Sequence, residues 1–308
     1  MTFRALCDIY LDDLRTRRRP NSIRITEVII RNQLLPLIGD LPINKITPAT
    51  MRAAQGKLLE AVSKTTGRKL SPNYLHAIHA RAVAIFNYAI RYYGLPGNPA
   101  VIAGTIGKLE RKPGIWTPEE FQRFIAQVEK PVYHLLFTLL YYTGMRIGEA
   151  LALRPDDVDA GNRTISVTKS MDYAGNCSPP KTAAGKRVIA VPGFLIEEIS
   201  SYLSRLPEKP ERLIERSYDT VKNRFARYVK KFDMPPIGLH GLRHSHASYL
   251  ISQHASVIAV SHRLGHASPS VTLDIYGQVL PDDDRKLAEI AGSGGHGAVK
   301  NKKEPPKP

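Results

Sequence analysis

A run rich in glycine and proline between Gly94 and Gly114 interrupts a chain of 308 residues. That break, in a chain of that length, limits what the fold can be. A single hydrophobic core stops growing beyond about 250–300 residues, and the run Gly94-Leu95-Pro96-Gly97-Asn98-Pro99, closed by Arg111-Lys112-Pro113-Gly114, has the composition of a segment between two cores. The expected organisation is a first domain over 1–95, a linker over 96–116 and a second domain over 117–290. The last stretch, 291–308, is Gly-rich and then Lys/Pro-rich, and is expected to be a disordered tail.

The two domains differ in periodicity. In the first, apolar residues recur at helical spacing over Phe3 to Leu14, Ile23 to Leu35, Pro48 to Val62 and Pro72 to Tyr92, with no strand pattern. Thr47-Pro48 and Ser71-Pro72 are helix starts, because a hydroxyl can cap free N–H groups while proline occupies the first helical position. The second domain opens on Thr117-Pro118-Glu119-Glu120, a capping box, and continues with the apolar helix Val132 to Thr143. The period then changes. Arg163 to Lys169 and Lys186 to Val191 alternate as short strands, and Tyr218 to Phe232 returns to helical spacing. The expected fold class is therefore mainly α: a helical N-terminal domain followed by a mixed α/β domain with a small antiparallel sheet.

Charge narrows the partner. Forty-four Lys and Arg against twenty-eight Asp and Glu leave a net +16, a balance suited to a polyanion, with nucleic acid ahead of an anionic membrane. The longest apolar stretch, Leu135 to Tyr142, is too short to span a bilayer, and the N-terminus has no signal-peptide pattern, so a cytosolic protein is expected. Cys7 and Cys177 lie far apart and outside any CxxC pattern, which indicates neither a disulfide framework nor a cysteine-based zinc site. Candidate phosphate contacts are Arg17, Arg18, Arg19, Arg31 and Arg81 in the first domain and Lys222, Arg224 and Arg227 in the second, although each taken alone reads equally as a solvated side chain.

Three clusters in the second domain carry chemistry: Arg146 in Thr-Gly-Met-Arg-Ile-Gly-Glu, then His240-Gly241-Leu242-Arg243-His244, then Leu264-Gly265-His266 followed by Asp274-Ile275-Tyr276. Together they resemble the tyrosine recombinases, the phage-integrase-like enzymes. In that family an early arginine, a later HxxR pair, an LGH box and a tyrosine about ten residues further on occur in this order. The resemblance spans Thr117 to about Leu280, and the helical first domain is similar to the family's core-site DNA-binding domain.

The residue types suit the chemistry that the resemblance implies. Breaking a phosphodiester without a metal requires other groups to hold the charge on the non-bridging oxygens. Guanidinium groups remain charged and present paired N–H donors, which assigns that task to Arg146 and Arg243. By the family comparison His240 and His266 complete the ring, and Tyr276 attacks phosphorus to give a phosphotyrosyl link, with no ATP and no cofactor. The family also places a lysine general acid on a β-hairpin. Lys181, in Pro179-Pro180-Lys181-Thr182, matches that context, while Lys169 and Lys186 remain competitors. Glu149 is positioned to orient a catalytic cation, with an intrahelical ion pair as the plain alternative.

The resemblance further implies double-stranded core-site DNA as partner, four protomers on two sites, an excisionase or host DNA-bending factor, and a cytoplasmic, nucleoid-associated location. Thr272 to Tyr276 is similar to integrases of phages and conjugative elements. Many such integrases carry an arm-site-binding domain upstream, whereas this sequence begins at the core-binding pattern.

Rival readings account for less. A zinc site built on His240, His244 and His246, or on His262 and His266, has no cysteine and would sit beside Arg243. A metal-dependent nuclease needs separated carboxylates, but Asp156, Asp157 and Asp159 sit in one turn-like run. Gly185-Lys186 lacks the other residues of a phosphate loop. A DNA-binding repressor explains the arginines but gives Tyr276 and the histidines no task.

Overall fold

The computed structural model describes residues 1–18, 20–63, 67–107, 114–180 and 183–276. It resolves into two compact units, Met1–Lys112 and Pro113–Pro308. The tail expected over 291–308 lies outside the described residues.

The first unit is helical: α1 (Phe3–Arg17), α2 (Pro20–Ile29), α3 (Leu35–Ile38), α4 (Pro48–Glu60), α5 (Pro72–Tyr93) and α6 (Pro99–Ala103), with a π-helical turn at Ile30–Leu34 joining α2 to α3. The starts of α4 and α5 follow from capping. The Thr47 hydroxyl accepts from the Thr50 N–H at 3.1 Å and the Ser71 hydroxyl from the Tyr74 N–H at 3.2 Å, each with proline in the first turn. Phe3, Leu6 and Leu11 of α1 meet Ile78, Ile85 and Phe86 of α5 in the core, with the Phe3 and Phe86 rings 5.2 Å apart.

The expected linker over 96–116 is ordered in part. Asn98 caps α6, accepting from the Ala100 and Val101 N–H groups, and its amide donates to the Val83 carbonyl at 3.0 Å. Ala100, Ala103 and Ile106 are buried in the first unit's core, and Gln55 donates to the Gly104 carbonyl at 2.7 Å. Glycine and proline here punctuate a short helix, because proline belongs at a helix start and a positive-φ glycine at its end as much as either belongs in a linker. At the other end Trp116 lies in the second unit's core, donating through Nε1 to the Pro235 carbonyl at 2.9 Å.

The second unit contains α7 (Pro118–Ile125), α8 (Pro131–Thr143), α9 (Ile147–Ala152), β1 (Val158–Asp159), β2 (Thr164–Val167), β3 (Ser170–Met171), β4 (Cys177–Ser178), β5 (Arg187–Ala190), α10 (Gly193–Ser204), α11 (Tyr218–Lys231), α12 (Leu239–Ser252), α13 (Val257–Leu264) and α14 (Pro269–Tyr276). The capping box expected at Thr117 forms, with the Glu120 carboxylate 2.8 Å from the Thr117 N–H. Helix α8 is apolar on nearly every side and runs through the core, packed by α10 and α12. Trp116, Phe124 and Phe225 form an aromatic cluster with Phe137 of this helix.

Strands β1, β2 and β5 make an antiparallel sheet in that order, with Ile165 opposite Ile189 and Val167 opposite Arg187. A separate hairpin, β3–β4, was not anticipated from the sequence; its two-residue strands are too short to display an alternation. It packs on α9, where a Cβ on Gly148 would lie 2.6 Å from the Met171 carbonyl oxygen, so only glycine permits the approach.

Candidate active site

Four segments far apart in sequence converge at one end of α8. Helix α8 stops at Gly144, whose φ of +64° suits glycine, and a Cβ there would lie 2.6 Å from Cδ2 of His246. Two residues later Arg146 caps α9. Glu149, in the first turn of α9, takes the Arg146 backbone N–H at 2.8 Å and its guanidinium Nη1 at 2.9 Å. A carboxylate in that turn also meets the positive end of the helix dipole.

Helix α12 supplies the second segment. Helical spacing puts His240, Arg243 and His244 on one side of it, and the His240 and His244 rings meet edge to face at 4.6 Å. Arg243 is buried and reaches in both directions: Nη1 donates to the Gly144 carbonyl at 2.8 Å and Nη2 to the Leu264 carbonyl at 2.9 Å. A single guanidinium thus ties the turn before Arg146 to the turn before His266.

The third segment is the end of α13. Gly265 adopts φ +69°, and a Cβ there would lie 2.9 Å from both the Ala184 carbonyl oxygen and Nη1 of Arg187. His266 follows, with Nδ1 2.8 Å from the hydroxyl of Thr272, a fully buried residue of α14. Arg146 Nη2 lies 3.5 Å from the Gly265 carbonyl. Tyr276 closes α14 one helical turn beyond Thr272.

The fourth segment is β5, whose Arg187 donates to the Arg263 carbonyl at 2.7 Å and to Glu149 through Nη2 at 2.9 Å.

The electrostatics follow from crowding cations where water is scarce. Burial, then His244, Arg243, Arg146 and His266, push His240 down to about 4, although the residue as a whole is exposed. His266 is also lowered to about 4, first by burial and then by Arg243, Arg146, His244 and Arg187. Burial and Arg243 lower His244 to about 4. All three imidazoles are neutral near pH 7 in the DNA-free protein and so remain hydrogen-bonding groups without charge. Burial pushes the Glu149 carboxyl up, but hydrogen bonds from Arg187 and Arg146 and their charges outweigh it, leaving Glu149 ionised.

This arrangement offers a concentration of positive charge with oriented N–H donors, the chemistry that an anionic phosphate requires. The profile of the phage integrase family matches residues 115–282, more than half of the chain. The chain belongs to the phage integrase family. Residues 2–59 match the phage integrase N-terminal SAM-like domain. Among curated relatives, the ICEBs1 integrase of Bacillus subtilis strain 168 is 29% identical across a 313-residue alignment covering 94% of this chain and 82% of that protein. The tyrosine recombinase XerA of Thermococcus kodakarensis is 31% identical over 189 residues, 58% of this chain and 63% of its own length. Two solved structures share the fold. The Tn1549 transposon integrase, in complex with transposon right end DNA, superposes with a TM-score of 0.77 at 20% identity, covering 95% of this chain and all of that one. A lambda integrase dimer bound to a COC' core site gives 0.69 at 19% identity, covering 99% of each.

Within this phage integrase family member, Arg146, Arg243, His240 and His266 come from three helical segments into one region, and Glu149 lies against Arg146. Lys181 lies outside the described residues, as does Arg19, and both competing lysines, Lys169 and Lys186, are exposed. The other basic candidates are scattered. Arg17 pairs with Asp13 and Arg31 with Glu27, each at 2.9 Å. Arg18 and Arg81 line one cavity with Tyr10 and Thr26, and Arg81 donates to the Thr26 hydroxyl at 3.2 Å. Arg224 lies over the Tyr133 ring at 5.5 Å, while Lys222 and Arg227 are exposed on α11.

Sequence reasoning missed Arg187 and Arg263, weighed His246 only as a zinc ligand and gave Thr272 no role of its own. Arg263 donates to Nε2 of His246 at 3.0 Å and to the Ala190 and Tyr142 carbonyls, holding α13 to β5 and α8. A signal for Arg187 was present: strand alternation puts it on the face of buried Ile189, while Val188 faces outward, so a charged residue occupies an inward position.

Proposed function

We propose that this protein is a site-specific DNA recombinase that integrates or excises a mobile element by cutting and rejoining DNA through a 3'-phosphotyrosyl intermediate. Its relatives are integrases and recombinases, among them a transposon integrase held on transposon-end DNA and a lambda integrase held on a core site. One observation carries the chemical reading: Arg243 joins the turns that bear Arg146 and His266, so both cationic motifs and the LGH box surround one region, with Tyr276 at the end of the adjoining helix.

In this reading Arg146 and Arg243 hold the non-bridging oxygens of the scissile phosphate, and His240 and His266 donate to it as neutral imidazoles. The Tyr276 phenol loses its proton, with His240 assisting, and its oxygen bonds to phosphorus as the P–O5' bond breaks. The leaving 5'-oxygen takes a proton from Lys181. Attack by a 5'-hydroxyl of the partner strand reverses the step and releases Tyr276, so bond energy is conserved and neither ATP nor a metal is consumed. Arg17, Arg18, Arg19, Arg31 and Arg81, with Lys222, Arg224 and Arg227, supply phosphate contacts along the duplex. Assembly is a tetramer on paired core sites, by analogy with a lambda integrase tetramer on a Holliday junction. An excisionase or host bending factor sets direction, and the protein acts in the cytoplasm on the nucleoid.

The test is covalent trapping on nicked duplexes in EDTA without ATP, comparing wild type with Tyr276→Phe. The expected result is an SDS-resistant adduct from wild type alone and equal DNA binding by both. Binding by both with no adduct from either, on any nicked substrate, would replace this reading with that of a DNA-binding repressor.

A further inference from the structure

We propose that Arg187 is a positioning residue for strand cleavage: it neutralises Glu149 so that the charge of Arg146 remains available to the scissile phosphate. The proposal rests on the recombinase reading above.

Two arginines share the Glu149 carboxylate. Its Oε1 accepts from Arg146 Nη1 at 2.9 Å and from Arg187 Nη1 at 3.3 Å, while its Oε2 accepts from the Arg146 backbone N–H at 2.8 Å and from Arg187 Nη2 at 2.9 Å. Their exposures differ sharply. The Arg146 side chain is 41% accessible, that of Arg187 is 7% accessible, and that of Glu149 is 2% accessible. Arg146 is therefore placed to meet an incoming anion, and Arg187 is not.

Charge explains why two cations surround one carboxylate. Glu149 with Arg146 alone would be a neutral pair, and its carboxylate would compete with phosphate for the same guanidinium edge. Adding Arg187 from the buried side leaves the trio at a net +1, and the accessible member is Arg146. Glu149 and Arg187 are buried, so the interaction between them is weakly screened, whereas Arg146 faces solvent.

Arg187 also fixes the neighbouring segments. Its Nε donates to the Arg263 carbonyl at 2.7 Å, in the turn that leads to His266, and its Nη1 donates to the Gly185 carbonyl at 3.2 Å, in the segment after Lys181. Gly265 lies against it so closely that no Cβ fits between them. One side chain thus spans the elements that carry Arg146, His266 and the start of β5.

The experiment measures single-turnover adduct formation on a nicked core-site duplex, with DNA affinity read separately by titration. Arg187→Met is expected to slow adduct formation by about 20-fold or more, in the range found when a group orienting a functional ligand is removed, with affinity nearly unchanged. Adding Glu149→Gln to that variant removes the carboxylate that captures Arg146, and is expected to recover at least about 3-fold of the rate. Arg187→Lys, which keeps the charge without the paired geometry, should fall between wild type and Arg187→Met. If Arg187→Met yields no folded second unit, as read by the fluorescence of Trp116, Arg187→Lys with and without Glu149→Gln makes the same comparison. A wild-type rate in Arg187→Met, or a double variant no faster than the single one, overturns the proposal while leaving the recombinase reading intact. No adduct from wild type withdraws the function, and the role of Arg187 with it.

Discussion

His246 makes the stability of the second unit depend on pH in a way that can be worked out from its surroundings. Its ring is buried, and Nε2 accepts a hydrogen bond from Arg263 Nε at 3.0 Å, which requires that nitrogen to be unprotonated. Burial, then the Arg263 charge, lower its pKa from 6.5 to about 3, against a smaller opposing effect of the hydrogen bond that the ring donates to the Tyr141 backbone, with the Arg243 charge adding least. The unfolded chain takes up this proton near 6.5 and the folded chain does not. Stability is therefore full above that value and is lost progressively as the pH falls from 6.5 toward about 3. The slope is about 1.4 kcal/mol per pH unit, so going from pH 7 to pH 5 costs about 2 kcal/mol through this one group. Trp116 is the only tryptophan of the chain and lies in the second unit's core, so its fluorescence during urea titration follows that unit. Wild type and His246→Gln, which cannot titrate, are compared at pH 7, 6 and 5. Wild type should lose about 2 kcal/mol more than the variant between the two ends; parallel pH dependences would refute the assignment.

Two further expectations concern the turn at Gly265 and the basic face of α11. Gly265→Ala places a Cβ at φ +69° and 2.9 Å from Nη1 of Arg187. It should cost at least about 1–2 kcal/mol of second-unit stability from the left-handed backbone alone, visible in the Trp116 transition, and should slow adduct formation. An unchanged midpoint would remove the close-approach argument. Lys222 and Arg227 are exposed on α11; replacing both with Gln should lower the slope of log affinity against log salt by about 1 for each phosphate that is no longer neutralised. An identical slope would take α11 out of the DNA interface.

Much of the local structure was legible because its causes are local. Thr47, Ser71 and Thr117 announce their helices through hydroxyls that cap N–H groups three residues on, and the apolar periodicity of α5 and α11 runs within single turns. The β2–β5 pair was readable from alternation, whereas the β3–β4 hairpin was too short to show one. Residues 99–107 misled for a related reason: proline and glycine mark the ends of a short helix as readily as they mark a linker, and only the burial of Ala100, Ala103 and Ile106 separates the two cases.

The sequence alone determined which candidate groups exist and in what order: Arg146, the His240–Arg243 pair, the Leu264-Gly265-His266 box and Tyr276. Residue identity and spacing suffice for that, because each motif is held together within a few residues. Tertiary structure decided which of these groups are accessible and what holds them. Arg243 is buried against carbonyls from two other segments, one of them 99 residues away, and Arg187 meets Glu149 across 38 residues of chain. Neither partnership leaves a periodic trace in the sequence. The pairing of buried charge and the lowering of the histidine pKa values depend on which groups surround a site once water is excluded, and that exclusion exists only in the folded chain.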